Sequence, residues 1–365
     1  MSSTSVLVTG GAGFVGCALA HRLIGAGHDV AVMDVAYPKP HAGALDLPPS
    51  ARFFIGDVTN ARDWDAVLLS FRPAQIVHLA AETETALSLS QATRHSSVNV
   101  VGTAQLLDAL SRLALIPEQL VLASSRAVYG EGCWQSGVDT FYPPPRSHAQ
   151  LVAGDWDPRG PGGGPAVPLP SCAGRSEPRP VSIYAATKLA QEHMMLAWTA
   201  AHDTGLSVLR LQNIYGPGQS LDNPDTGIAT LFAQVARRHL PIEVYEDGRI
   251  VRDFVFIDDA IDALLAAVQR PTAQSRCLDI GSGIRITVHE LARKIAAGCG
   301  GPEPLVVPKF RDGDVRAASC SIEAAKRELQ WHPTRTLDDG LRALLEWISR
   351  SDAGGRNSLP DRPRL

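Results

Sequence analysis

Val8-Thr9-Gly10-Gly11-Ala12-Gly13-Phe14-Val15-Gly16 decides the fold. The stretch follows the apolar run Ser5-Val-Leu-Val, which reads as a strand, and opens a helical segment from Phe14 to about Ala26. Two glycine spacings overlap in it: G-x-x-G-x-x-G at Gly10, Gly13 and Gly16, and G-x-G-x-x-G starting at Gly11. A strand-to-helix turn that holds a pyrophosphate must be tight, must let the backbone approach the ligand, and must pack the helix hard on the strand. The helix N-terminus then offers free N–H groups to the anion. Gly10, Gly13, Phe14, Val15 and Gly16 are therefore candidate cofactor contacts. Asp34 ends the next strand, Val30-Ala-Val-Met. A carboxylate there accepts hydrogen bonds from ribose hydroxyls and repels a 2′-phosphate, which favours NAD over NADP. Asp57 and Val58, after a further strand, are candidates on the adenine side.

Outward from this turn, short β-branched runs alternate with helical stretches. Gln75-Ile-Val-His-Leu and Leu120-Val-Leu-Ala read as strands, and Thr103–Leu113 as a helix. Alternating β and α units imply an α/β chain with a doubly wound parallel sheet, a Rossmann fold. The pattern breaks between Pro143 and Pro180, where 10 of 38 residues are proline and 6 are glycine. Regular structure is not expected there, because proline removes donors and glycine raises the cost of ordering. A stretch this long is expected to be a mobile surface insertion or a lid. Helices resume near Ile183, and the tail from Asp352 has the composition of a disordered segment.

Lys plus Arg number 34 against 38 Asp plus Glu, for a net charge of -4, so nucleic acid is not an expected partner. No apolar run approaches the roughly 20 residues that span a bilayer. The first residues, Met-Ser-Ser-Thr-Ser, carry no basic segment, so a secretory signal is not expected. Six scattered cysteines lack C-x-x-C spacing. They suggest neither a disulfide framework nor a zinc site, and they fit a reducing cytoplasm.

Tyr184 and Lys188 form Y-x-x-x-K in a helical stretch, a spacing that puts both on one face. Ala123-Ser-Ser-Arg-Ala-Val-Tyr-Gly130 ends the strand that begins near Leu120. Ligands of such sheets bind at carboxyl strand ends.

These elements, in order, resemble the extended short-chain dehydrogenase/reductase family of nucleotide-sugar epimerases and dehydratases. The matching motifs are Thr9-Gly-Gly-Ala-Gly-Phe-Val-Gly, Asp34, Gly56-Asp-Val, His78-Leu-Ala-Ala, Asn99-Val-Val-Gly-Thr and Ser124-Ser-Arg-Ala-Val-Tyr-Gly. Tyr184-Ala-Ala-Thr-Lys, Asn213-Ile-Tyr-Gly-Pro-Gly, Val251-Arg-Asp-Phe-Val-Phe-Ile-Asp-Asp and Arg311-Asp-Gly-Asp-Val-Arg follow, so the likeness spans roughly residues 5 to 345. The resemblance implies NAD as cofactor, held also by Leu79, Ala80, Ala81 and Asn99, and a nucleotide-diphosphate sugar as partner. It implies that Tyr184 is the general acid/base, that Ser125 shares the substrate oxygen, and that Lys188 binds the nicotinamide ribose and lowers the tyrosine pKa. A free tyrosine titrates near 10, too high for a base at neutral pH. A neighbouring cation favours the phenolate. Asn213, Arg252 and Arg311 are implied at the diphosphate, where guanidiniums make paired charge-assisted bonds. Glu243 and Tyr245 are implied at the nucleobase. The implied division is an NAD-binding domain over 1–211 carrying the insertion 131–180, and a smaller, discontinuous α/β substrate-binding domain over 212–350. Residues 252–280 return to the first domain, and 351–365 form the tail. A homodimer paired through Thr103–Leu113 and the Tyr184 helix is also implied.

Dehydratases of this family carry an Asp-Glu pair after the catalytic hydroxyl residue, and decarboxylating members carry the Glu. Arg126 and Ala127 stand in those places, so both readings lose a needed proton carrier. Ala80-Ala-Glu-Thr-Glu-Thr-Ala, Arg210-Leu-Gln-Asn-Ile-Tyr-Gly-Pro-Gly-Gln-Ser-Leu and Val244-Tyr-Glu-Asp-Gly resemble the subgroup of dTDP-L-rhamnose 4-epimerases. That likeness places Glu82, Thr83 and Thr85 near the sugar and the nicotinamide, and Arg126 is a candidate substrate contact. Members often carry cysteines in the insertion, but here it holds only Cys133 and Cys172, too few for a tetrahedral zinc. The expectation is an NAD-dependent 4-epimerase acting on a dTDP- or UDP-hexose. A 4-ketoreductase or dehydrogenase is the alternative, and a non-catalytic NAD-sensing protein stands as a third reading.

Overall fold

The computed structural model describes residues 3–35, 46–83, 85–221 and 227–353. Seven parallel strands form the central sheet: β1 (Ser5–Thr9), β2 (Asp29–Asp34), β3 (Arg52–Ile55), β4 (Gln75–His78), β5 (Gln119–Ser125), β6 (Gly205–Leu211) and β7 (Ser275–Ile280). Their spatial order is β7-β6-β5-β4-β1-β2-β3. The order reverses between β1 and β4, and ligands of open α/β sheets bind at such a switch point. There Thr9 lies in register with His78, so the glycine turn after β1 meets the chain leaving β4.

Apart from the edge strand β3, the strands are largely buried on both faces, which is why they read as continuous apolar runs rather than alternating ones. Successive side chains still take opposite sides. Val6, Val8, Val30 and Val32 enter one core, whereas Leu7, Ala31, Met33 and Ile76 enter the other. Helices α1 (Phe14–Gly25), α2 (Ala61–Phe71), α3 (Gly102–Arg112), α4 (Ile183–Ala201) and α5 (Ile257–Gln269) cover these faces. Leu19 and Leu23 of α1 and Ile261 and Leu264 of α5 fill the first core. Trp64, Leu68, Leu106, Leu110 and Met195 of α2, α3 and α4 fill the second. The doubly wound parallel fold expected from the sequence is the one observed.

The first core continues into a lobe built from helices Ile228–Arg237, Val288–Cys299 and Leu337–Ala353, through Phe232, Ile295 and Leu341. Short strand pairs frame it: Asn213–Tyr215 with Phe254–Phe256, Glu243–Tyr245 with Leu305–Val307, and Val251–Arg252 with Ile286–Thr287. Helix α5 and strand β7, later in the chain, return to the main sheet.

Two expectations change. The segment 143–180 does contain regular structure. Helix His148–Val152 lies in it, and Val167–Pro168 joins Trp134–Ser136 and Asp139–Phe141 in a three-stranded antiparallel sheet. Proline sits on the edge of that sheet, where no ladder N–H is needed, and the buried Trp134, whose indole N–H donates to the Glu131 carbonyl at 2.8 Å, anchors it. The last helix runs through Ala353, into the first residues of the expected tail; 354–365 lie outside the described residues. Among the described residues no helix is long and apolar enough to cross a membrane.

Candidate active site

The glycine turn is packed to contact. Gly10 has φ +65, and a Cβ there would lie 2.7 Å from the Ala80 backbone nitrogen. A Cβ on Gly16 would lie 2.4 Å from the Gly10 carbonyl oxygen. Gly13 is the N-cap of α1 and makes no side-chain cap, so the N–H groups of Phe14 and Val15 point out of an uncapped helix start. Asp34, at the end of β2, is 9% exposed, and its Oδ2 accepts from the Ala12 N–H at 3.0 Å. One carboxylate thus ties the turn to the neighbouring strand. This cradle of backbone donors beside a strand-end carboxylate has the donor set of a dinucleotide site. Asp57 is exposed, and its Oδ1 accepts from both the backbone and the hydroxyl of Thr59 at 2.8 Å. Val58 is buried against Gly102. Leu79, Ala80 and Ala81 follow β4 at the switch point.

Ser125 ends β5, and the next strand position over is Leu211 at the end of β6. Helix α4 begins at Ile183, capped by the Ser182 hydroxyl, which accepts from the Ala185 N–H. Its first turns lay Tyr184 and Lys188 on one face, 8% and 3% exposed. The Tyr184 phenol lies beside the Ser125 hydroxyl, close enough for the hydroxyl to favour its ionised form. Burial pushes the phenol up, while Ser125 and the Arg126 guanidinium pull it down. Burial pushes the Lys188 ammonium down to about 7, and Glu192 one turn further along opposes that shift. Lys188 Nζ donates to Gln191 Oε1 at 2.8 Å.

A second group of cations gathers beside the phenol. Arg126 Nε donates to Asn213 Oδ1 at 2.9 Å. Burial, then repulsion from Arg252, lowers the Arg126 pKa to about 9, and Asp314 and Tyr184 act in the opposite sense. Arg252 is 6% exposed and likewise lowered, first by burial. Two desolvated guanidiniums that repel each other are poised for an anion. Further out, the Arg311 guanidinium lies over the Tyr245 ring, 5.5 Å from its centroid. Glu243 on the same strand pairs with Lys309. Glu82 pairs with Arg94 at 2.9 Å, and its backbone N–H and C=O are both held by Asn99, at 2.8 and 3.0 Å. Thr83 follows it, exposed, and Thr85 opens the short helix Thr85–Ser88.

The structure thus brings Ser125, Arg126, Tyr184, Lys188, Asn213 and Arg252 to one carboxyl edge. Asn99 is fully buried on a π-helical turn, Ser96–Val101, that the sequence did not reveal. Its Nδ2 also donates to the Thr187 hydroxyl at 2.9 Å, tying this turn to α4. Sequence reading gave no role to Thr103, on which the Asn99-Val-Val-Gly-Thr motif ends, and missed both Gln191 beside the lysine and the buried Arg146. Gln191 and Arg146 lie in no motif.

A glycine cradle at the switch point, with a Ser–Tyr pair and a lysine across from it, defines a dinucleotide-dependent enzyme of the short-chain dehydrogenase type. The family model "NAD dependent epimerase/dehydratase family" matches residues 6–149 and 161–281, and the chain belongs to that family, whose cofactor is NAD. It is 49% identical over 349 residues to a dTDP-L-rhamnose 4-epimerase of Burkholderia thailandensis, covering 94% of this chain and 95% of that protein. A UDP-glucose 4-epimerase of Mycolicibacterium smegmatis is 28% identical, with 94% and 97% covered. Among solved structures, the UDP-glucose 4-epimerase of Thermotoga maritima with UDP-glucose superposes with a TM-score of 0.77 at 26% identity, covering 95% of this chain and 99% of that one. The Thermus thermophilus UDP-glucose 4-epimerase complex with NAD gives 0.75 at 26% identity, covering 94% and 99%.

Proposed function

We propose that the protein is a nucleotide-sugar 4-epimerase acting on a dTDP- or UDP-hexose. The observation that carries this is the Tyr184 phenol set beside Ser125 at the carboxyl edge, where the serine hydroxyl draws the phenol pKa down, with Arg126 and Ala127 following where elimination chemistry needs an acid. Bound NAD supplies the hydride acceptor and donor and adds a positive ring to the site. Tyr184, as phenolate, takes the proton of the sugar C4 hydroxyl, and Ser125 donates to the oxygen as it becomes a carbonyl. Burial outweighs Ser125 and Arg126, so the phenol stands above its ordinary value, and the positive nicotinamide ring of NAD would supply the further lowering that a base at neutral pH needs. The 4-keto sugar then presents its other face, and Tyr184 returns the proton.

In this reading Gly10, Gly13, Phe14, Val15, Gly16, Asp34, Asp57, Val58, Leu79, Ala80, Ala81 and Asn99 build the cofactor side, with Tyr184 and Lys188 at the nicotinamide. Asn213, Arg252 and Arg311 hold the diphosphate as the pivot, and Arg126 contacts the substrate beside Tyr184. Glu243 and Tyr245 face the base, and Glu82 and Thr83 face the sugar. Residues 1–211 with 252–280 act as the NAD-binding unit and the rest of 212–350 as the substrate-binding unit. The chain pairs as a homodimer through α3 and α4, which is supported by exposed Val101 and Leu196 (45% and 46%) beside and on those helices. It works in the cytoplasm, in keeping with six free cysteines.

The test is conversion of dTDP-L-rhamnose, dTDP-hexoses and UDP-hexoses to their 4-epimers without net consumption of added NAD. Steady NADH accumulation without epimer would instead establish a dehydrogenase.

A further inference from the structure

We propose that the insertion 131–180 is a fixed brace for the loop Lys309–Asp314, so that it sets affinity for the nucleoside diphosphate and takes no part in the hydride chemistry. The inference rests on the preceding reading of Arg311 and Tyr245 as nucleotide contacts.

The loop, which turns at Asp312–Gly313, lies between two walls. Lys309 and Arg311 face the strand Glu243–Tyr245: Lys309 pairs with Glu243, and Arg311 lies over Tyr245. Phe310, Asp312 and the backbone of Asp314 meet the insertion. The Phe310 ring sits 5.4 Å from the His148 ring, edge-on, and 6.3 Å from that of Trp156. Asp312 meets His148 Nδ1 with both carboxylate oxygens at 3.1 Å. The Asp314 carbonyl accepts from Arg146 Nη2 at 2.7 Å.

Beneath these contacts lies a closed ring of buried charge. The Arg146 side chain is 2% exposed. Its Nε donates to Glu131 Oε1 at 3.2 Å and its Nη1 to Glu246 Oε1 at 2.8 Å. The second oxygen of Glu131 accepts from the Arg316 N–H at 2.8 Å, and that of Glu246 accepts from Arg316 Nη1 at 2.9 Å. Arg316 Nε reaches Asp157 of the insertion at 2.6 Å. One guanidinium, Arg146, therefore joins the base of the insertion, the end of the Glu243–Tyr245 strand and the end of the Arg311 loop. Buried ion pairs are weak sources of stability but demand a single geometry. A decorative insertion would be held by its own contacts. This one spends its most buried cation on the loop that carries Arg311.

The experiment uses the full chain with His148→Ala and Trp156→Ala together, which leaves the buried ring intact and keeps the test clear of a folding defect. Hydrogen exchange of amides 309–314 is measured without nucleotide. Titration with dTDP and with UDP gives Kd, and steady-state kinetics on the accepted substrate separates KM from kcat. The expected result is faster exchange confined to the loop, Kd and KM raised about tenfold, and kcat and NAD content within about twofold of the parent. Unchanged loop exchange, or a fall in kcat with KM unmoved, overturns the brace. If the parent binds neither nucleotide, the reading of the site fails, while loop exchange still decides whether the insertion holds the loop.

Discussion

Lys188 Nζ donates to Gln191 Oε1 at 2.8 Å, and Gln191 Nε2 donates to Thr103 Oγ1 at 2.8 Å. The direction of this chain is forced. A hydroxyl has one proton, and that of Thr103 goes to the Asn99 carbonyl at 2.7 Å. Thr103 Oγ1 can then only accept, so Gln191 turns its amino group to Thr103 and its oxygen to the lysine. His78 Nε2 lies 3.2 Å from the same hydroxyl and therefore donates, which leaves Nδ1 to accept from Thr9 at 2.8 Å. Burial, with Lys188 adding to it, lowers His78 to about 3, so it stays neutral in that tautomer. The π-helical turn, the strand end of β4 and the glycine turn thus all fix where the ammonium sits.

Replacing Gln191 by Met removes the acceptor while keeping the volume. The ammonium loses its aim, and kcat is expected to fall about tenfold, with the pH–rate limb moved upward and NAD content kept. The check is kcat against pH on protein of equal cofactor occupancy. A parent-like profile would show Gln191 to be only a packing residue.

Tyr184→Phe deletes the proton carrier and leaves the helix untouched. General acid–base catalysis contributes about 10²- to 10⁴-fold, so kcat should drop within that range while thermal stability and NAD retention hold. Turnover within a few-fold of the parent would remove Tyr184 from the chemistry.

Gly16→Ala tests the cradle. The added Cβ would sit 2.4 Å from the Gly10 carbonyl and from the Gly11 Cα, both backbone atoms that cannot swing away. Overpacking of this kind costs about 1–3 kcal/mol, and the displaced turn is expected to release NAD on gel filtration. Equal NAD content by absorbance, with an unshifted Tm, would contradict the account.

The cradle and the Tyr–Lys pair were legible because each is a local device. A tight turn or one helix face writes its requirement within a few residues of chain. Gln191 to Thr103 spans 88 positions, and Arg146 to Asp314 spans 168, so neither pairing leaves a spacing to read. The insertion misled for a related reason. Its prolines and glycines signal poor intrinsic order, but the order it has comes from contacts distant in sequence, Trp134 pairing with Pro168 and Arg146 with Asp314. Asn99 was readable as a motif residue, whereas its π-helical turn was not.

Asp279 offers a test by pH alone. It ends β7, 1% exposed, and accepts from the Tyr129 hydroxyl at 2.9 Å and from the Ala173 N–H of the insertion at 2.6 Å. Burial raises its pKa to about 7, against partial relief from those bonds and from Arg210. Arg210 in turn lies over the Tyr129 ring and pairs with Glu192. Because the folded pKa lies above the unfolded one, the folded state holds more protons between about pH 4 and pH 7. The contribution is complete below the unfolded pKa and is lost as pH rises through the folded one. Asp279→Asn keeps the neutral form at every pH, so the stability of the variant relative to the parent should grow by on the order of 2–3 kcal/mol from pH 5 to pH 8. Urea unfolding at the two pH values reads this directly, and parallel stability curves for parent and variant would place the Asp279 carboxyl in its ordinary range.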